Sequence, residues 1–598
     1  MSKDSWRTEV TEGAQQSWAR PVPVIGDATS ARTRREDPGG WAMGAPVVEA
    51  LEAVVGARRD IRRFRPDPVP DELLEAVLAA GHRAPSVGHS QPWRFIVVSD
   101  QSTRDRAAHL ADAARLAQAD HLTEDRAARL LDLKLEGLRE APLGIVVACD
   151  RRTPAMGVLG RATFPDADLW SCATAIENMW LTARAHGLGM GWVTLFDPAD
   201  LADLFGLPEG VVTLGWLCLG WPDERPPEPG LQRAGWSTKT PLADVVLRER
   251  WSEGALEQPI SHLRGPDEHL LVAATDDADE LLAPPDSLGV LDRVLNRVAA
   301  LGGRDIDGGT LVLVAADHPV AELGVSPYAV SVTREVTEAA VAGTSMGAVA
   351  AQTAGLGLLV VDAGVDGDEA VVGAAVGARP SDPRGDLESA DALTVSDVDA
   401  LLAAGRDVGR RAAQSGLVVL GEIGVGNTTV AAALACALTG LDPAEAVGLG
   451  AGADAAILER KRDVVAAALL RCGPALAGSE SPADQARQAL AGLGGPEIAV
   501  LTGVVLGAVE AGAPVVLDGL AGSLPGLLAA RIEPAVQAHL VAGQRSRERA
   551  HAAVLRALGL EPLLTLRLRA GEGVGACLAA SMILQGLRMR RLAARTVE

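Results

Sequence analysis

Large aromatic side chains are scarce in this chain, and its second half almost lacks them. Aromatics make up 3% of 598 residues; all eleven Trp (Trp6 to Trp251) and all five Phe (Phe64 to Phe205) precede residue 252, and only Tyr328 follows. One continuous core does not sort its bulky residues this way. The absence argues against a single domain and predicts two fused ones, joined near 252–282. The six cysteines (Cys149, Cys172, Cys218, Cys436, Cys472, Cys577) include no CxxC pair, and the ten histidines show no HExxH spacing. A zinc site or disulfide framework is therefore not expected, nor is a catalytic metal; the thiols read as small buried apolar groups in a reducing compartment. Basic charge is also short: 55 Lys and Arg face 78 Asp and Glu, a net −23. Such a chain repels nucleic acid and anionic lipid, so neither is an expected partner. The longest apolar stretch, Ile498 to Leu517, is interrupted by Glu510 and several Gly, which is too broken for a membrane span. No apolar leader segment follows Met1, and the expected location is the cytoplasm.

What is present falls into two kinds of alternation. Residues 1–45 are polar, Pro- and Arg-rich and without period, and are expected to be a disordered extension. Helical spacing over 47–58 and 71–84 then gives way to buried β-runs at 94–100 and 144–150. A charged helical segment covers about 101–140, an amphipathic helix spans 171–187, and strands recur in GMGWVTLFD and VVTLGWLCLGW. This is α+β order. The second half instead sets apolar runs at 310–317, 356–364, 416–422 and 514–519 between long Ala-rich helices. Strands buried on both faces and alternating with helices predict a parallel sheet. Ligands bind beyond the carboxyl ends of such strands, so the Gly, Asp and Glu residues that end them are the first candidates for chemistry.

In the first half, RRDIRRF (58–64) crowds guanidinium groups suited to a phosphate, although a solvated basic surface would look the same. APSVGHSQPWRF (84–95) is a turn feeding a strand, equally readable as an ordinary loop or as amides aimed at a planar ligand. With KLEGLREAP (134–142) and DLWSCATAIENMWLTARAHGLGMGWV (168–193), these segments resemble nitroreductase-like flavoproteins, and most closely the 5,6-dimethylbenzimidazole synthases. The resemblance covers roughly 46–255, with Trp170 where Tyr is usual. It implies a homodimer that binds FMN. Arg58, Arg59 and Arg62 would contact the phosphate and ribityl chain. Ser86 would lie along the ring, with Leu135 in a lid over it. Asp60 and Ser171 would be catalytic. The implied reaction fragments reduced FMN with molecular oxygen to give 5,6-dimethylbenzimidazole, the reduced flavin being supplied by a separate flavin reductase. Read from its neighbours alone, Asp60 serves equally as an ion-pair partner for an adjacent Arg.

In the second half, GLVVLGEIGVGNTTVAAALACAL (416–438) carries a strand into a Gly-rich turn and a helix start, where amides and the helix dipole favour an anion. GADAAILERKRDVV (452–465), GGPEIAVLTGVVLGA (494–508), PVVLDG (514–519) and ALGLEPLLTLRLRAGEGVGACLA (557–579) accompany it. Together they resemble the nicotinate-nucleotide–dimethylbenzimidazole phosphoribosyltransferases over about 270–590. The resemblance implies that Glu572 is the general base that deprotonates the benzimidazole, with Glu422 assisting. Gly424, Gly426, Asn427, Lys461 and Asp518 would hold phosphate and ribose, with no metal. Glu572 read alone could instead satisfy free helix amides. Departures occur at Ala283 and Asp286, where the family has Lys and Gly, at DHPV (317–320) and at GQRSRERAH (543–551).

The expectation is an α+β nitroreductase-like flavin domain (46–255), a linker (256–269) and an α/β domain with a mostly parallel, Rossmann-like sheet (270–598). The implied function is bifunctional: the first domain makes the benzimidazole and the second joins it to the phosphoribosyl group of nicotinate mononucleotide. Two rival readings are an NAD(P)H-dependent nitro or flavin reductase in the first half and a non-catalytic binding module in the second.

Overall fold

The computed structural model describes residues 18–19, 36–37, 39–132, 137–249, 251, 261–263, 265–302, 305–367, 369–375, 379–450 and 452–597. Two compact units emerge, Trp41–Ala255 and Leu256–Glu598, the latter with Met1–Gly40. Within the N-terminal extension, Trp18–Ala19 pair in parallel with Thr596–Val597. The rest of the disorder expected over 1–45 falls largely outside the described residues.

The 41–255 unit begins with α1 (Ala45–Ala57) and α2 (Asp71–His82). Its sheet comprises β1 (Trp93–Val98), β2 (Leu143–Asp150), β3 (Gly189–Val193) and β4 (Val211–Gly220), in the order β1-β2-β4-β3 and antiparallel throughout. The charged segment forms α3 (Gln101–Asp120) and α4 (Glu124–Asp132). Asp100 caps α3 by accepting the Thr103 amide, which satisfies one of the free donors at the helix start. The amphipathic stretch forms α5 (Ala167–Ala185), whose Cys172, Ala175, Ile176 and Met179 are buried against the sheet. Trp216 on β4 is fully buried. It fits because Gly144 opposite has no side chain: a Cβ there would lie 2.0 Å from the indole.

The second unit is built on five parallel strands: β5 (Gly309–Ala316), β6 (Gly357–Gly364), β7 (Leu417–Ile423), β8 (Val515–Leu517) and β9 (Leu540–Ala542). Their order is β9-β8-β7-β5-β6. Alternate residues of β5 and β7 enter different cores: Val312, Val314, Val418 and Leu420 join one, while Leu311, Leu313, Leu417 and Val419 join the other. Both faces are therefore covered, as a parallel sheet requires. The apolar stretch from Ile498 is the interior of α15 (Pro496–Glu510), buried in one of those cores. It packs on α11 (Val395–Ala412) with backbones nearly touching. A Cβ at Gly405 would lie 2.1 Å from the Val500 carbonyl oxygen, and one at Gly503 would lie 2.3 Å from that of Leu402. No helix among the described residues is long and apolar enough to cross a membrane.

The chain leaves β5 toward β6 on one side and returns to β7 on the other. That reversal is a topological switch point, where the loops after β5 and β7 part and open a crevice. Asp317 and His318 follow β5, and the turn Gly424–Gly426 follows β7. Asp286, where the resembled family has Gly, still takes a left-handed backbone at φ 54°, which Asp tolerates better than most side chains.

Candidate functional site

In the first unit the RRD segment runs beside the outer strand β3. Asp60 bridges Met190, and the Ile61 amide donates to the Met190 carbonyl at 3.0 Å. The Asp60 carboxylate accepts from Arg62 Nε at 2.7 Å and from the Trp192 amide at 3.3 Å. Burial raises its pKa, against the pull of Arg62. Arg62 also donates to the Trp192 carbonyl at 2.8 Å, and its buried Nη1 has no acceptor. Arg59 donates to the carbonyls of Gly56, Arg58 and Pro227. Arg58 lies over the Trp180 ring, 4.8 Å from its centroid, and stays half-exposed.

Ser86 accepts the Gln91 amide at 3.0 Å, closing the turn before β1. Ser171 is buried on α5; its hydroxyl donates to the Ala167 carbonyl at 2.6 Å and accepts the Val87 amide at 3.0 Å. The structure thus brings Ser171 to the Ser86 turn and Asp60 to Arg62, and records no contact joining the two pairs. Leu135 lies outside the described residues. A stacked, accessible guanidinium at Arg58 and a buried donor without an acceptor on Arg62 fit an anionic, flavin-phosphate type of ligand.

In the second unit, β7 carries Glu422 next to its last residue, and the chain turns through Gly424 and Gly426 into α12 (Asn427–Thr439). Gly426 sits at φ 93° and leaves the helix start without a side-chain cap; the Asn427 and Thr429 amides turn back to the Gly424 and Gly426 carbonyls, at 3.4 and 2.9 Å. Asn427 Nδ2 donates to the Glu422 carboxylate. Two cavities adjoin here. One, of about 570 Å³, is lined by Glu422, Thr428, Asp518, Gln544, Arg547 and Glu548 among others. The other, of about 250 Å³, is lined by Tyr328, Glu422, Gly424, Gly426, Lys461 and Glu572 among others. Glu422 and Asn427 line both.

Burial pushes Glu422 up to about 7, and the neighbouring Glu497 and Asp518 charges add to the rise. Burial likewise takes Asp518, just after β8, to about 6. Its Oδ1 accepts from Gln544 Nε2 at 3.0 Å and from the Ala576 amide at 3.2 Å. Lys461 on α13 (Ala455–Ala477) is buried and donates to Thr428 Oγ1 at 2.9 Å; burial lowers its pKa, against the pull of Glu548. Glu572 precedes α18 (Val574–Leu592) at φ 57°. Its Oε2 accepts the Gly347 amide, 3.0 Å away, at the start of α10 (Met346–Thr353). The residue lines the smaller cavity, and its carboxylate satisfies a helix amide. Of its flanking glycines, Gly571 faces the cavities, whereas Gly573 is needed for packing: a Cβ there would lie 2.6 Å from Leu311 and 2.9 Å from the Leu420 carbonyl oxygen.

The sequence reading passed over Thr428, Gln544, His551 and Glu497. Glu497 had a signal, an acid in the first turn of an otherwise apolar helix. Gln544 had one too, since it stands in the diverged 543–551 segment opposite Asp518.

A crevice at the switch point of a parallel sheet, with buried carboxylates, a buried lysine and an uncapped helix start, suits transfer of a phosphorylated sugar. Residues 263–597 match the phosphoribosyltransferase family and residues 55–221 match the nitroreductase family; the chain belongs to both. More narrowly, its first part is similar to the 5,6-dimethylbenzimidazole synthase of Rhodospirillum rubrum, at 43% identity over 197 residues, or 32% of this chain and 92% of that protein. Its second part is similar to the nicotinate-nucleotide–dimethylbenzimidazole phosphoribosyltransferase of Thermus thermophilus, at 38% identity over 320 residues, 53% of this chain and 93% of that protein. The crystal structure of CobT from Thermus thermophilus superposes with a TM-score of 0.51 and 37% identity, covering 55% of this chain and 97% of that one.

Proposed function

We propose that this chain performs two successive steps in making the lower ligand of cobalamin. The first unit forms 5,6-dimethylbenzimidazole from reduced FMN and oxygen. The second transfers phosphoribose from nicotinate mononucleotide to that base, giving α-ribazole 5′-phosphate and nicotinate. One observation carries the reading: the compound named as product by the first unit's relative is the acceptor named by the second unit's relative.

In the first unit, Arg58, Arg59 and Arg62 would hold the flavin phosphate and ribityl chain, with Ser86 and Leu135 against the ring. The bound reduced flavin supplies the atoms of the benzimidazole. Asp60, with its raised pKa, can accept or hold a proton there, while Arg62 fixes its orientation. Ser171 holds the Val87 amide and so sets the turn beside the ring. The exposed Val47, Leu51 and Val55 recur at helical spacing on α1, which buries no residue. They support a homodimer, since a second copy would cover them. A separate flavin reductase supplies the reduced flavin.

In the second unit, Glu572 takes the N–H proton of the benzimidazole. The ring's other nitrogen attacks C1 of the ribose, and the bond from C1 to the pyridinium nitrogen breaks, so nicotinate leaves with the electron pair. Glu422 and Asp518 face the developing positive charge on sugar and base. Lys461, Asn427 and the amides around Gly424 and Gly426 hold phosphate and ribose.

The test is aerobic incubation of the full chain with reduced FMN and nicotinate mononucleotide, followed by mass analysis. α-Ribazole phosphate is the expected product. Its absence, with each half-reaction also silent when given its own substrate, would overturn the reading.

A further inference from the structure

A buried ion pair lies directly behind the Gly424 turn, and the transfer chemistry above makes no use of it. His318 follows β5 and Glu497 is the second residue of α15; the side chains are 4% and 0% exposed, with Nε2 and Oε1 3.2 Å apart. Apart from that imidazole, neither oxygen of Glu497 has a hydrogen-bond partner among the described residues. A carboxylate deprived of both water and hydrogen bonds is strongly unfavourable unless a cation faces it, and here the imidazole does.

The ring is held on two sides by glycines. A Cβ at Gly424 would lie 2.9 Å from His318 Nε2, and one at Gly495 would lie 2.5 Å from His318 Cε1. Any larger residue at either place would push the ring away. Gly424 itself lines the smaller cavity beside Glu422 and Glu572. The imidazole is therefore the backing of the turn that connects Glu422 to Asn427.

The charged groups around His318 come from four segments. They are Glu497 on α15, Glu422 at the end of β7, Arg384 after β6, and Asp317 beside it in the chain. Burial and Arg384 oppose a charge on the ring. Glu497 and Glu422 favour it and prevail, so the pKa of His318 is raised. In the other direction, the His318 charge holds down the pKa of Glu422.

We propose that His318 is a positioning residue for phosphoribosyl transfer: clamped by Glu497, it wedges the Gly424 turn in place and sets a fixed positive charge behind Glu422. This rests on the transferase reading above. Removing the charge leaves Glu422 harder to ionise. The acid limb of kcat/KM must then move to higher pH, a change that mere loss of packing would not produce.

The experiment uses the full chain, nicotinate mononucleotide and supplied dimethylbenzimidazole. His318→Gln is expected to raise the acid limb by about one pH unit, roughly a tenfold loss below it. Binding of nicotinate mononucleotide, measured by calorimetry, is expected to change little. An acid limb that stays in place in folded His318→Gln overturns the proposal. Should that variant fail to fold, the unmodified chain carrying carbon-13 histidine decides. One Cε1 resonance is expected to keep its imidazolium position after the other nine histidines have become neutral; ten histidines that are all neutral beyond the ordinary imidazole range overturn the proposal. If the unmodified chain makes no α-ribazole phosphate, the transferase reading falls instead, and the histidine titration still reports on the ion pair.

Discussion

Asp60 accepts a hydrogen bond from Arg62 Nε at 2.7 Å, and the same guanidinium reaches the Trp192 carbonyl. The ion pair foreseen as an alternative role for Asp60 is therefore real, and it is compatible with a role in proton transfer: a half-buried carboxylate with a raised pKa still has a tendency to hold a proton. Asp60→Asn keeps the shape and the acceptor for Arg62 but cannot cycle a proton. It should lower formation of dimethylbenzimidazole by about 10²–10⁴-fold. Transfer to supplied dimethylbenzimidazole should be unchanged. Separate assays of the two half-reactions check this, and equal losses in both would contradict it.

The competing reductase reading makes an opposite kinetic prediction for the same unit. A nitro or flavin reductase oxidises NAD(P)H rapidly on its bound flavin. Under anaerobic stopped flow with FMN and NADH or NADPH, we expect no rapid hydride transfer to the flavin. Fast bleaching of the flavin absorbance would favour the reductase.

The part proposed for Glu422 in transfer carries a consequence for stability. Its pKa lies at about 7, above the ordinary 4.5. The folded state therefore binds the proton more tightly than the unfolded state, and this group destabilises the fold increasingly as pH rises from about 4.5 through 7. Glu422→Gln removes the penalty. The second unit of the variant should be more stable than wild type at pH 8, by at most about 3 kcal/mol from the size of the shift, and nearly equal at pH 4.5. Calorimetry at the two pH values tests the sign. Nine of the eleven Trp, Trp41 to Trp251, lie in the first unit, whereas Trp18 pairs with Thr596 of the second, so Trp fluorescence of a Trp18→Phe background reports mainly the first unit and serves as the internal control.

His551 should behave in the reverse sense. Its Nδ1 accepts the Ser546 amide at 2.9 Å, so Nε2 carries the hydrogen that reaches Ser523 Oγ at 3.0 Å. Burial depresses its pKa to about 4, with Arg545 adding to the effect. The neutral ring is the form that binds, and its contribution is lost as pH falls from about 6.5 toward 4. Hydrogen exchange at Ser546 should quicken over that window, beyond the intrinsic change with pH. In His551→Gln the exchange should be fast at every pH.

Much of this was legible where local pattern and topology agree. Glu422 and Asp518 end apolar runs, and such runs form central parallel strands whose carboxyl ends open on ligands. The Gly-rich turn announced a helix start for the same local reason. Leu540–Ala542 was not foreseen as a strand, because three apolar residues after a short 3-10 turn carry no period to read. The uses of Ser171 and His318 were hidden for another reason. Ser171 spends its hydroxyl on Ala167 and Val87, and His318 meets Glu497, a residue far along the chain. Those partners are set by packing, which spacing does not encode.

Glu572 is where a structural and a chemical role must be separated. Its Oε2 satisfies the Gly347 amide, and the residue also lines the smaller cavity with Glu422. Glu572→Ala would remove both functions, losing roughly 0.5–2 kcal/mol of capping stability along with the base. Glu572→Gln divides them, since its amide oxygen can still accept from Gly347 while the side chain no longer takes a proton. The expected result is a melting temperature near that of the wild type, with transfer slowed by about 10²–10⁴-fold. The deficit should persist at saturating nicotinate mononucleotide, because an interaction made only in the transition state lowers kcat and not merely affinity. If Glu572→Gln transfers at the normal rate while Glu572→Ala melts early, the carboxylate serves the helix and the proton must leave through Glu422.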